Sequence, residues 1–97
     1  MSRPRMTPEM ANDIARQNFR KAIKHNRIDL EMSQRELAEM VDMDPSWFSR
    51  HLSDPDRIGV GLLRRIVRTL HIDPIVILAL VGYTDKEIKQ LRERLAA

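Results

Sequence analysis

The chain has 97 residues, 42% of them hydrophobic and 32% charged, with a net charge of +3 and no cysteine. That is the size and composition of one folded globular domain, and it excludes a disordered chain, a disulfide framework and thiolate metal sites. The longest apolar run, Ile75 to Val81, is far short of the roughly 20 residues that span a bilayer. Residues 1–10 carry Arg3 and Arg5 without an apolar signal core, so a cytoplasmic protein with no membrane partner is expected.

Apolar residues recur at spacings of three and four, which predicts an all-α chain. A basic arm over residues 1–6 precedes five helices over 7–82, and an additional C-terminal helix follows over 83–97. Thr7, Pro8 and Glu9 supply an N-cap, a first-turn proline and an early acid; Met10, Ile14, Phe19, Ala22 and Ile23 then follow at helical spacing, in a helix ending near Asn26. Ile28, Leu30 and Met32 are expected to pin the connector to the core. Ser33 and Glu36 form a capping box for a second helix of about two turns, which buries Leu37, Ala38 and Val41 and stops before Asp42.

Asp44 caps a third helix with Pro45 at its first position and Phe48 and Leu52 on one side, ending at Ser53, Asp54 and Pro55. Leu62, Leu63, Ile66, Val67 and Leu70 trace a fourth, whose other face, with Arg64, Arg65 and Arg68, is solvated. Asp73 and Pro74 begin the fifth. Its run of apolar residues goes nearly all round, so cover on more than one side is predicted before Gly82 ends it. Thr84 and Glu87 form a second capping box, opening a last helix with Ile88, Leu91 and Leu95 in one stripe. That stripe either closes the core of one chain or meets a second copy as a dimerisation element.

Residues 33–53, SQRELAEMVDMDPSWFSRHLS, join two short helices through a tight turn, an arrangement that fits the second helix into the DNA major groove. The segment resembles the helix-turn-helix of the phage Cro and repressor (XRE-like) family in Ser33 and Gln34, the Leu37-Ala38 pair, the turn position Met43 and the core position Phe48. The resemblance runs from roughly Ile14 to Val81. It departs at Asp42, where the family usually has glycine, and at Asp44, where a small hydroxyl residue is usual. It implies a compact five-helix repressor-type DNA-binding domain, dimeric operator binding and transcriptional repression on the nucleoid. It further implies that Gln34 holds a phosphate at the groove edge.

At about 100° per residue, helix 3 turns Ser46, Trp47 and Arg50 away from Phe48 and Leu52, with Ser49 bordering them. An outward Arg50 can pair bidentately with guanine, a serine hydroxyl can bond several bases, and an aromatic edge can meet thymine methyls. Trp47 has a second reading, as a packing residue beside Phe48. Segment 33–58 holds three basic and six acidic residues, whereas 1–32 and 59–97 each hold seven basic and four acidic. Phosphate neutralisation therefore falls to Arg35, Arg57, the Lys21 and Lys24 side of helix 1, and Arg3 and Arg5, whose arm either enters a groove or stays disordered.

His25, His51 and His71 lie far apart without ligand spacing, and no nucleophile–base pair or phosphate-cradling glycine loop is visible, so neither metal, cofactor nor enzyme activity is expected. The expected partners are a double-stranded DNA operator, a second copy of the chain and, because no ligand-sensing domain is present, a regulatory protein. The alternative is a protein-interaction module of the same fold, such as an antitoxin or anti-repressor, for which the acidic 33–58 segment speaks.

Overall fold

Local hydrogen bonds at the helix starts set most of the architecture. A computed structural model describes residues 7–96, which are helical with short turns and contain no strand. The helices are α1 (Pro8–Asp29), α2 (Gln34–Met40), α3 (Pro45–Ser53), α4 (Val60–Leu70), α5 (Pro74–Leu80) and α6 (Asp85–Ala96), with one 3₁₀ turn at Pro55–Arg57. Each predicted cap is made. The Thr7 hydroxyl accepts from the Met10 N–H at 3.1 Å, and Asp44 Oδ1 accepts from Ser46 and Trp47 at 2.9 and 3.2 Å. Asp73 accepts from Ile75 at 2.9 Å, and Ser33–Glu36 and Thr84–Glu87 form both halves of their capping boxes.

Helix α1 continues about one turn past Asn26. Nothing between Arg27 and Met32 breaks a helix, and the Leu30 N–H still donates to the Asn26 carbonyl at 3.1 Å. The chain turns only at Glu31, whose φ is +55°, where Arg27 Nη1 donates to the Met32 carbonyl at 2.8 Å. The connector is thus held by polar bonds. Ile28 and Leu30, expected to pin it, lie exposed, and Met32 is half-buried.

The chain packs as two units, Arg20–Ile72 and the described part of Met1–Phe19 with Asp73–Ala97. In the first, Ile23 of α1, Leu37, Ala38 and Val41, Phe48 and Leu52, and Leu62, Ile66, Leu70 and Ile72 form the core. The opposite face of α4 carries exposed Arg64, Arg65 and Arg68, as its periodicity predicts. Asn26 Nδ2 donates to the Leu70 carbonyl at 3.0 Å, which ties the end of α1 to the end of α4, and His71 closes α4 at φ +53°.

The second unit contains the first turns of α1 together with α5 and α6, and its buried hydrophobic residues are Ala15, Phe19 and Ile88. Met10 and Ile14, part of the predicted apolar series of α1, are exposed. Helix α5 has no fully buried residue, but Ile75 to Leu80 are all half-buried, so the helix is partly covered on every side, as its all-round apolar run predicts. Gly82, at φ +111°, ends the helix in a conformation that glycine adopts at little cost, and the Tyr83 N–H returns to the Leu78 carbonyl at 3.0 Å.

Candidate nucleic-acid interface

Helix α3 is fixed in rotation by its two buried residues. Phe48 is fully buried and Leu52 nearly so, which leaves Ser46, Trp47, Ser49 and Arg50 exposed to solvent. At 56% exposure, Trp47 presents its ring outward, and the packing reading of this residue does not hold. The Arg50 guanidinium lies over that ring, 5.1 Å from its centroid, within the range of a cation–π contact. His51 Nδ1 contacts the Trp47 carbonyl at 2.8 Å; the carbonyl can only accept, so Nδ1 carries the proton and the imidazole is held to its own helix.

The turn that presents α3 is tight. Val41 is buried at the end of α2, Asp42 takes a left-handed φ of +59°, and the Met43 N–H returns to the Ala38 carbonyl at 2.9 Å. Asp42 accordingly does in this chain what a glycine does with less strain. The Asp44 carboxylate is engaged by two backbone N–H groups at the start of α3, so part of its negative charge faces the positive end of the helix.

Gln34, the first residue of α2, lines an open cleft of about 320 Å³ with Arg20, Ile23, Lys24, Arg27 and Leu52. Arg20, Lys24 and Arg27 stand at i, i+4 and i+7 on one face of α1. Sequence reasoning pointed to Lys21 and Lys24; the structure keeps Lys24 in the cleft, leaves Lys21 out and adds Arg20 and Arg27. The signal was present, since this basic spacing brackets the buried Ile23, but it becomes a site only when α1 lies beside Gln34 and Leu52. Chemically the cleft offers cationic and amide donors to an anion, with an apolar floor.

The other candidate cations are arranged differently. Arg35 Nε lies 3.7 Å from Glu39, and Arg57 Nε lies 3.0 Å from Asp54. All four side chains are exposed, and such surface pairs are weak enough for a phosphate to compete. Arg3 and Arg5 lie outside the described residues. In the C-terminal stripe Ile88 is buried within its own unit, Leu91 is half-buried and Leu95 is 77% exposed.

The Glu36 carboxyl is held below its ordinary value, first by the hydrogen bond from the Ser33 backbone N–H and then by the Ser33 side chain, its partner in the capping box that starts α2. Among the described residues no three His, Cys, Asp or Glu side chains gather as metal ligands, and no helix is long and apolar enough to cross a membrane. Set against protein-family models, curated proteins and solved structures, the chain matches none.

Proposed function

We propose that the chain is a sequence-specific, double-stranded DNA-binding transcriptional regulator of the phage or bacterial repressor kind, with α3 entering the major groove. The observation that carries this reading is the outward side of α3, where Ser46, Trp47, Ser49 and Arg50 are exposed while Phe48 and Leu52 anchor the helix. Arg50 reads guanine through two hydrogen bonds, Ser46 and Ser49 bond base edges, and Trp47 packs on thymine methyls. Gln34 and the Arg20–Lys24–Arg27 cleft fix the register on one phosphate strand, with Arg35 and Arg57 adding charge. The protein acts in the cytoplasm without catalysis or cofactor, and its level or a protein partner sets its effect.

A second reading, a protein-interaction module of this fold, draws on the acidic segment and on the carboxylates that face Arg35 and Arg57. Binding selection from a random duplex library at near-physiological salt separates the two. A recurring motif enriched by the full chain supports operator recognition. A folded protein that enriches no motif overturns it in favour of the interaction module.

A further inference from the structure

We infer that Trp47 and Arg50 read one base step together: a guanine and, in the base pair next to it, a pyrimidine that carries a C5 methyl group. At that position 5-methylcytosine serves as thymine does, and unmodified cytosine does not. Binding then responds to methylation of the DNA itself. This rests on the DNA-binding reading above and goes beyond it in the joint action of the two side chains and in the modified base they accept.

The adjacency comes from α3. Asp44 accepts from the N–H groups of Ser46 and Trp47, which fixes Trp47 in the first turn, the end of a recognition helix that meets base edges. Arg50 follows three residues later, an advance of about 4.5 Å along the helix axis. That is nearer to one base step, roughly 3.4 Å, than to two. The guanidinium lies over the indole, 5.1 Å from its centroid, so the two groups act from touching positions.

Neither side chain is committed elsewhere. Trp47 is 56% exposed and Arg50 is exposed. Among the described residues Arg50 has no carboxylate at salt-bridge distance, unlike Arg35 and Arg57. An arginine meets an aromatic ring with the flat face of its guanidinium and bonds guanine with the edge, so it can keep both contacts at once.

At the neighbouring base the methyl group is what an indole can recognise. Thymine shows the major groove an O4 acceptor and a C5 methyl, whereas cytosine shows an N4 amino donor and no methyl. The indole has one donor and no acceptor, so it makes no bond to that amino group. Its apolar surface gains where a methyl is covered, by about fourfold in affinity for one carbon. 5-Methylcytosine carries its methyl at the same ring position as thymine. The class of reaction that supplies such a site is methyl transfer to C5 of cytosine in DNA.

The test uses the full chain and the duplex enriched from a random library. Replacing guanines singly by 7-deazaguanine, which lacks the N7 acceptor, locates the one read by Arg50 as the position to which Arg50→Ala is indifferent. The pyrimidine of the base pair on either side is then made uracil, thymine, cytosine or 5-methylcytosine, each with its complement, and affinities are measured by fluorescence anisotropy. On one side the methyl is expected to raise affinity about fourfold in both pairs, uracil to thymine and cytosine to 5-methylcytosine. Trp47→Ala, at an exposed position, should abolish both gains and keep the guanine preference. Trp47→Phe, which retains a ring without the indole N–H, should keep both gains. No methyl effect on either side, an effect in the thymine pair alone, or gains that survive in Trp47→Ala or vanish in Trp47→Phe would each overturn the inference and leave sequence-specific DNA binding standing. A library from which nothing is enriched removes both readings together.

Discussion

The guanidinium of Arg50 rests on the indole of Trp47, one helical turn apart on the exposed side of α3, with 5.1 Å between the charge and the ring centroid. The stack limits the rotamers of a long side chain before any partner arrives, and it keeps the donor fork on the outer face of the helix. Arg50→Ala is expected to weaken binding to the selected duplex by about 1 to 3 kcal/mol and to relax preference at one base position. Equal loss on every sequence would make Arg50 a phosphate contact instead. Arg50→Lys should not restore the preference, since a lysine ammonium lacks the fork.

Trp47→Ala removes both the stack and the aromatic surface. Its expected effect is about 0.5 to 1 kcal/mol at an exposed cation–π pair, plus loss of preference at a thymine position. Measured against a duplex with uracil in place of that thymine, the parent protein should lose affinity and the variant should not. A variant as sensitive to the missing methyl as its parent would remove Trp47 from the contact.

The Gln34 cleft makes a different demand on experiment, because phosphates carry no sequence. Lys24→Ala is expected to weaken all duplexes alike and to lower the salt dependence of log K by about 1, read from titrations across a salt series. An unchanged slope would place the cleft away from the DNA backbone. Gln34→Ala should weaken binding with no change in slope, since the amide is neutral.

Both capping boxes predict a pH effect. Glu36 and Glu87 are held below their ordinary value of 4.5, chiefly by hydrogen bonds from the backbone N–H groups of Ser33 and Thr84 and secondarily by those residues' hydroxyls. A depressed folded-state value means that the stabilisation is present above the unfolded value and is lost as pH falls through the folded one. The melting temperature should therefore decline as pH drops below about 4.5, and the decline should be shallower in the Glu36→Ala, Glu87→Ala variant. A parallel decline in both proteins would assign the acid sensitivity elsewhere.

Asp42 offers a stability test. At φ +59° it occupies a region costly to side chains with a Cβ. Asp42→Gly is expected to raise unfolding free energy by about 0.5 to 1 kcal/mol, and Asp42→Val to lower it by at least about 1 kcal/mol, in urea titrations. If the glycine variant is no more stable, the aspartate side chain supplies a compensating bond in the turn.

The caps and the inward faces of α2, α3 and α4 were legible in the sequence because each depends on residues three or four apart. Ser33 needs only Glu36, and Phe48 needs only Leu52 on its side of the helix. The extra turn of α1 was not legible, since Arg27 and Met32 secure it through a side-chain bond to a backbone carbonyl that no periodicity reports. Nor was the cleft, whose walls come from α1, α2 and α3 at once. For α5 the all-round hydrophobic run was plain, and the partial cover of every residue from Ile75 to Leu80 agrees with the need for cover on more than one side that it predicts.

The Asn26 amide that reaches the Leu70 carbonyl closes a span of 44 residues, and the whole of α2, its turn and α3 lies inside that span. Closing a long loop costs chain entropy that grows only slowly with length, whereas the helices and turns within it form from neighbours already at hand. The expected order of folding is that the α2–α3 pair assembles from local structure and the Asn26 bond closes after it. Helical chains of this kind fold in microseconds to milliseconds. Synthesis of 97 residues takes about 5 to 20 seconds at ribosomal speed. Folding of these residues is therefore expected to be much faster than their synthesis.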